Sequence, residues 1–208
     1  MEIGFIGLGN MGMPMAKNLA AANLRITGFD SESVRKENFN IVNSIESACS
    51  NKDIIITMLP NGKIVKKVYK KIISIIRPET ITIDCSTVDI ITSKWINSMS
   101  LKHNVYALDA PVSGGVIGAE NGTLTFMVGG ESSKFEKAKK VFDIMGSRAI
   151  FCGDPGSGQA TKICNNLIVG ISMIGVCEAF ALAEKLDLNK QKVFDVISTS
   201  SGQCWSIN

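Results

Sequence analysis

The sequence predicts an α/β fold in which a mostly parallel, doubly wound sheet is followed by the start of an all-α C-terminal domain. Over residues 2–152, short and nearly all-apolar runs alternate with stretches of helical periodicity. Runs of that kind are typical of parallel strands covered by helices on both faces. After a segment rich in glycine and proline at residues 153–159, the pattern becomes purely helical. We therefore expect one domain over residues 1–157 and a second, partial domain over residues 158–208.

The predicted strands and helices of the first domain alternate, as right-handed crossover connections require. Strands are predicted at residues 3–6, 24–29, 53–58, 80–84, 105–109, 124–128 and 149–152, and helices at 11–22, 44–51, 61–76, 89–102 and 132–146. The densest lysine cluster, "KIVKKVYKK", lies in the helix at 61–76 and is interleaved with apolar residues. It therefore predicts a solvent-exposed helix face and not a binding surface for an anionic partner.

The second predicted domain begins with a long helix at residues 159–185, and Asn189 is the predicted N-cap of a helix at 190–199. The long helix is apolar all round: Lys162, Asn166, Val169 and Met173 share one face, and Ile163, Leu167, Ile171 and Ile174 share the opposite face. A helix of this kind is expected to be buried all round. Fewer than 30 residues follow it, so we expect it to be covered by another chain or by a part of the domain that is missing here.

Composition argues against several classes of protein. A net charge of +3 is too small to indicate a nucleic-acid surface, and the six cysteines contain no C-x-x-C pair. The single histidine, His103, has no neighbours at metal-ligand spacing, so no metal is expected. Polar residues interrupt the long apolar helix, which favours a buried helix over a membrane span. Because the first strand begins at residue 2, we expect no leader and a cytoplasmic location.

The opening segment "MEIGFIGLGNMG" contains a G-x-G-x-x-G motif that follows a strand and opens a helix. In such a motif Gly7 permits the tight turn, Gly9 lets the main chain approach a pyrophosphate, and Gly12 lets the helix pack against the strand. The free N–H groups and the positive dipole end of the helix then face the anion. The first domain is therefore predicted to be a Rossmann-type dinucleotide-binding domain.

Asp30 follows the second predicted strand, 18 residues after Gly12. That is the place for a carboxylate that holds the hydroxyls of the adenosine ribose; a helix N-cap is the alternative. A 2′-phosphate would meet Asp30 and Glu32 with no arginine immediately beside them, since Arg35 lies a turn further on. Repulsion between like charges therefore favours NAD over NADP.

A nicotinamide cofactor implies hydride transfer, and the oxidation of an alcohol also requires a base. His103 lies in the polar turn "LKHN" and is predicted to face solvent. Lys162 has a better physical case, because the start of a helix and apolar neighbours both lower the pKa of a lysine. Asn166, one turn on, is a candidate for holding a substrate oxygen. The alternative is that Lys162 is a lysine with a buried stem and a solvated amine at the edge of a domain.

Three further segments follow predicted strand ends, where ligands bind in sheets of this kind. In "DAPVSGG", Ser113, Gly114 and Gly115 offer a hydroxyl and two backbone N–H groups to a small carboxylate, although an ordinary glycine loop is the alternative. The segments "TMLP" (57–60) and "DCSTVD" (84–89) are expected to line the same cleft.

Together, "GFIGLGNMGMPMAKNL", "TMLP", "DCSTVD", "DAPVSGGVIGAENGTLTFMVGG", "GSGQATKICNN" and "ISMIG" resemble the β-hydroxyacid dehydrogenase family over nearly the whole chain and in the family's order. The resemblance implies that Lys162 is the general acid/base. It also implies that the substrate contacts Ser113, Gly114, Gly115, Asn166 and Thr87. The residues implied to line the NAD site are Gly7, Leu8, Gly9, Asn10, Met11, Gly12, Asp30, Met58, Leu59, Pro60 and Thr87.

The reaction implied by the resemblance is the NAD-dependent oxidation of 3-hydroxyisobutyrate to methylmalonate semialdehyde, a step of valine breakdown. Reduction of tartronate semialdehyde, or turnover of another short β-hydroxyacid, is the alternative. A non-catalytic dinucleotide-binding scaffold is another, against which the presence of Lys162 weighs. The family also implies a homodimer or tetramer, and a mitochondrial matrix location if the source is eukaryotic.

Two departures from the family pattern stand at the end of the chain. Gln203 occupies the position before Cys-Trp at which the family has arginine, and we assign no consequence to it. The family continues through further helices beyond this point, so we expect the chain to be a fragment.

Overall fold

A nine-stranded sheet forms the first unit of the computed structural model, which describes residues 1–32 and 37–207. This unit comprises Met1–Lys162, and a second unit begins at Ile163. The strands are β1 (Glu2–Ile6), β2 (Arg25–Phe29), β3 (Asn40–Ile41), β4 (Ile54–Thr57), β5 (Ile81–Asp84), β6 (Tyr106–Asp109), β7 (Val112–Ser113), β8 (Leu124–Gly129) and β9 (Gly146–Gly153).

The sheet has the strand order β3-β2-β1-β4-β5-β6-β8-β7, and β9 pairs with β8. Strands β1 to β6 are parallel to one another, β8 is antiparallel to β6 and β7, and β9 is parallel to β8. The predicted mostly parallel, doubly wound sheet is therefore confirmed. The order of the strands reverses at β1, which lies between β2 and β4, and the carboxyl ends there form the point where such sheets bind ligands.

Helices cover both faces of the sheet, which explains why its strands are apolar on both sides. The helices are α1 (Gly12–Ala21), α2 (Ile45–Cys49), α3 (Gly62–Ile72), α4 (Ile90–Leu101), α5 (Gly115–Glu120), α6 (Ser132–Met145), α7 (Ser157–Lys185) and α8 (Lys190–Thr199). One buried layer contains Leu19 of α1 and Phe142 of α6. The other contains Tyr69 of α3 and Ile96 of α4. The lysines at 63, 67, 70 and 71 lie on the exposed side of α3, as predicted.

The sequence did not predict β3, β7, α5 or the short 3₁₀ turn Trp205–Ile207. The strands β3 and β7 are two residues long and exist because each pairs with a longer neighbour. Helix α5 begins at a glycine, a residue that disfavours helices. Helix α3 ends at Ile72, four residues before its predicted end. Helix α7 begins at Ser157, two residues before its predicted start.

The second unit contains the rest of α7, followed by α8 and the 3₁₀ turn. Asn189 is the N-cap of α8, as predicted, since its side chain accepts a hydrogen bond from Lys192 N–H at 3.1 Å. Apolar side chains of α7 are exposed, among them Leu167 at 63% and Ile174 at 66%. With 29 residues and a mean hydropathy of 1.9 over its most apolar window, α7 also satisfies the length and composition of a membrane span.

Candidate active site

A cleft with a volume of about 1250 Å³ opens beside the carboxyl ends of β1, β2 and β4. It brings together three of the predicted segments: the glycine loop after β1, the residues after β2, and "TMLP" after β4. Of the predicted cofactor residues, the cleft is lined by Gly7, Leu8, Gly9, Asn10, Asp30, Met58, Leu59 and Pro60. Met11 is the N-cap residue of α1 and Gly12 is its first residue, and these two are not among the residues that line the cleft.

The glycines of the loop meet different surroundings. A Cβ on Gly12 would lie 1.9 Å from the carbonyl oxygen of Gly7, so helix α1 packs too closely for any side chain there. Gly7 has φ +93°, in the left-handed region that favours glycine. Around Gly9, the described part of the chain has no atom within 4 Å of an added Cβ, and its φ lies outside the left-handed region. Packing therefore does not require glycine at this position, and the open space leaves room for a ligand to approach the main chain.

The start of α1 faces the same loop. Among the described residues, no side chain caps this helix and its first turn contains no acidic residue. The first N–H groups of a helix have no partner within the helix, and its N-terminal end carries a partial positive charge. The open space at Gly9 and this helix end together fit a bound diphosphate.

Asp30 is half-buried between the glycine loop and the end of β2. Its carboxylate accepts hydrogen bonds from Leu8 N–H at 2.6 Å and from Glu32 N–H at 3.0 Å. The carboxylate therefore holds the glycine loop in place, and its remaining lone pairs can accept bonds from ribose hydroxyls. Arg35 lies outside the described residues, and Ser31 and Glu32, which follow Asp30 directly, are not helical.

A buried polar network joins the ends of β4 and β5. Leu59 N–H donates to Ser86 Oγ at 2.9 Å, and Ser86 Oγ–H donates to Asp84 Oδ1 at 2.6 Å. Thr57 Oγ–H donates to the same carboxylate oxygen at 2.8 Å. Burial raises the pKa of Asp84 to about 6, although these hydrogen bonds act in the opposite direction. Thr87, the next residue after Ser86, is exposed, and residues 84–89 are not among those that line the cleft, although the sequence predicts that they are.

Lys162 is half-buried and is the sixth residue of α7. Burial lowers the pKa of its amine, as the sequence predicts. The helix begins earlier than predicted, and the dipole effect fades beyond the first turn, so desolvation is the physical cause. His103 is exposed, as predicted. Within residues 1–32 and 37–207, no group of three or more His, Cys, Asp or Glu side chains is arranged to hold a metal ion.

The segment "DAPVSGG", the predicted carboxylate site, leads from the end of β6 through the short strand β7 to the start of α5. Ser113 ends β7 and pairs with Thr125 of β8. Gly114 and Gly115 have φ +130° and +62°, and α5 begins at Gly115. Both glycines are exposed, and the next residue, Val116, lines the cleft.

Asn166, the remaining predicted substrate residue, is exposed and belongs to the second unit. The sequence places Asp84, Ser86 and Asp109 in segments at predicted strand ends, but it assigns no role to these residues or to Gln159. They are buried polar residues at the strand ends and at the start of α7. Their individual roles could not be predicted, because partners such as Thr57 for Asp84 and Ser86 for Gln159 lie far away along the chain.

Comparison with known proteins adds to this geometry. A family model described as the NAD binding domain of 6-phosphogluconate dehydrogenase matches residues 2–153. A second, described as the NAD-binding segment of NADP-dependent 3-hydroxyisobutyrate dehydrogenase, matches residues 156–208.

Among curated relatives, a probable 3-hydroxyisobutyrate dehydrogenase of Mycobacterium tuberculosis is 41% identical, over 99% of this chain and 72% of its own length. The mitochondrial 3-hydroxyisobutyrate dehydrogenase of Homo sapiens is 40% identical, over 98% of this chain and 63% of its own length. The solved structure of the M. tuberculosis 3-hydroxyisobutyrate dehydrogenase with L-serine has a TM-score of 0.93 at 40% identity. It covers 100% of this chain, which spans 73% of that structure.

Proposed function

Because this chain belongs to the β-hydroxyacid dehydrogenase family, we propose that it oxidises 3-hydroxyisobutyrate to methylmalonate semialdehyde with NAD, as a step of valine breakdown. The chain is an NAD(P)-binding oxidoreductase; the proposal adds the substrate, the preferred cofactor and the base. The observation that carries it is Lys162, a half-buried lysine in the second turn of α7 whose pKa is lowered by burial.

The residues of the cleft fit a dinucleotide. The open space at Gly9 and the start of α1 would hold the diphosphate, and Asp30 would accept hydrogen bonds from the adenosine ribose. NAD is preferred over NADP, because a 2′-phosphate would meet the carboxylates of Asp30 and Glu32. Lys67 and Lys71 also line the cleft, and a comparison of turnover with NAD and with NADP tests whether they offset those carboxylates.

When bound, the nicotinamide supplies the hydride acceptor. In the direction of oxidation, the neutral amine of Lys162 removes the proton of the substrate hydroxyl, and in reduction the ammonium returns it. A lowered pKa increases the fraction of neutral amine near pH 7, which is the form that acts as a base. Ser113, Gly114 and Gly115 are proposed to bind the substrate carboxylate, and Thr87 and Asn166 to contact the substrate.

The test uses purified full-length protein, with 3-hydroxyisobutyrate and NAD in one assay and tartronate semialdehyde and NADH in another. Turnover of tartronate semialdehyde without turnover of 3-hydroxyisobutyrate would reject the proposed substrate. Lys162→Ala should reduce kcat by about 10²- to 10⁴-fold, the usual contribution of a general acid or base, with little change in NADH affinity. The control is Lys140→Ala, which removes an exposed lysine of α6. If Lys162→Ala keeps its turnover, Lys162 is not the base.

A further inference from the structure

Gln159 is fully buried, at 0% exposure, which is unusual for a glutamine. Its side-chain amide is paired on both sides. Nε2 donates to the carbonyl oxygen of Ser86 at 2.8 Å, and Oε1 accepts from Val88 N–H at 3.2 Å. These two backbone groups flank Thr87, so a single side chain fixes the main chain on both sides of an exposed residue that is proposed to contact the substrate.

The backbone of Gln159 is fixed as well. Its N–H donates to Asp109 Oδ2 at 2.9 Å, and Gly156 N–H donates to Asp109 Oδ1 at 2.7 Å. Asp109 ends β6 and is buried. Its carboxylate therefore satisfies two N–H groups at the beginning of α7, where a negative charge is favourable. The first turn of this helix is held both to the end of β6 and to the segment after β5.

The same polar chain reaches the cofactor cleft through Ser86. The backbone carbonyl of Ser86 binds Gln159, while its hydroxyl accepts from Leu59 N–H and donates to Asp84. Ser86 is therefore hydrogen-bonded both to Leu59, in the wall of the cleft, and to Gln159, in the first turn of α7. Lys162 lies three residues after Gln159 on that helix, within the same unit.

We infer that Gln159 is a positioning residue: it holds the backbone on both sides of Thr87 to the first turn of the helix that carries Lys162, and so sets the distance between the base and the cofactor wall. This inference rests on the proposed role of Lys162. A change of position of about 1 Å at a reacting group can cost about 10²-fold in rate. Loss of the bonds to residues 86 and 88 should therefore lower kcat more than it weakens cofactor binding.

The test is Gln159→Met in the full-length protein, since methionine has a similar length and shape but forms neither amide bond. We expect kcat to fall roughly 10- to 100-fold, with an NADH dissociation constant within about threefold of the wild type. The matched control is Gln191→Met, the same change at an exposed glutamine of α8, which should leave both values unchanged. Ser86→Ala should show the opposite pattern, with weaker NADH binding and a smaller loss of kcat, because it removes the bond to Leu59 but keeps the carbonyl that binds Gln159.

A second readout does not depend on turnover. Brief acetylation at a series of pH values, with the extent of labelling at Lys162 read by mass spectrometry, reports the pKa of that amine. In Gln159→Met, solvent enters the loosened turn, so the pKa of Lys162 should rise toward that of an ordinary lysine. If Gln159→Met does not fold, Gln159→Asn, which keeps the amide on a shorter side chain, takes its place in both assays.

The inference is wrong if the folded variant keeps both the wild-type kcat and the wild-type labelling profile of Lys162. Different results would show that the proposed function is wrong: the wild-type protein would not turn over any β-hydroxyacid, or Lys162→Ala would remain active. In that case, the labelling profile still decides whether Gln159 holds the turn that carries Lys162.

Discussion

Gly9→Ala and Gly12→Ala add the same methyl group to the same loop, yet one should affect ligand binding and the other the stability of the fold. The methyl at position 9 would enter open space, while the methyl at position 12 would lie 1.9 Å from the carbonyl oxygen of Gly7 and 3.1 Å from the ring of Phe5. We therefore expect Gly9→Ala to weaken the binding of the dinucleotide without harm to the fold. Gly12→Ala should destabilise the fold itself.

The magnitudes follow from these surroundings. Overpacking of a close contact lowers the free energy of unfolding by about 1–3 kcal/mol. For a protein of this size, each kcal/mol lowers Tm by about 2–4 °C, so Gly12→Ala should lower Tm by roughly 2–12 °C. Gly9→Ala should leave the Tm of the free protein unchanged or slightly raised, because alanine restricts the unfolded chain. In Gly9→Ala, the loss of a hydrogen bond between the loop and a charged phosphate should cost about 1.5–3 kcal/mol of binding free energy. The dissociation constant should therefore be about 10- to 150-fold larger.

Thermal unfolding with and without NADH, together with calorimetric titration, measures both quantities. At a ligand concentration of 100 times its dissociation constant, the wild type gains about 2.7 kcal/mol of stability. At the same concentration, Gly9→Ala should gain only about 0.3–1.4 kcal/mol. Full retention of NADH affinity in Gly9→Ala would refute the assignment of this loop to the diphosphate. A Tm of free Gly9→Ala as low as that of Gly12→Ala would refute the account of the packing.

Two further predictions concern the rest of the molecule. The pKa of Asp84 is raised by burial to about 6, so the folded state binds a proton there more tightly than the unfolded state does, and this carboxyl destabilises the fold as pH rises from about 4 to 6. The free energy of unfolding of Asp84→Asn, measured in urea, should therefore increase relative to that of the wild type by up to about 3 kcal/mol over that pH range. A difference that does not depend on pH would contradict the raised pKa of Asp84. Helix α7 exposes apolar side chains, so the chain of residues 1–208 should self-associate in sedimentation, and Leu167→Lys with Ile171→Lys should reduce that association; a monomeric wild-type chain would refute this reasoning.

The strands of the central sheet could be predicted because their signal is local. The segments 54–57 and 81–84, for example, are buried on both faces of the sheet, and a continuous apolar run between polar flanks indicates such a strand. The strand β7 and the helix α5 could not be predicted in this way. The segment "VSGGVIGAE" has the composition of a loop, and β7 forms because β8 supplies its hydrogen-bonding partner.

The residues of the candidate site also differ in whether their signal in the sequence is local. The glycine loop and Asp30 could be found because a phosphate imposes its requirements on one short segment and on the end of the next strand. Gln159 is hydrogen-bonded to Val88 and Ser86, which precede it by 71 and 73 positions. Asp109 is hydrogen-bonded to Gly156, which follows it by 47 positions. Their amide and carboxylate groups acquire a function only when the topology brings the ends of β5 and β6 to the start of α7. The residues proposed to touch the cofactor can therefore be predicted from local spacing, whereas those proposed to position Lys162 depend on the order of the strands in the sheet.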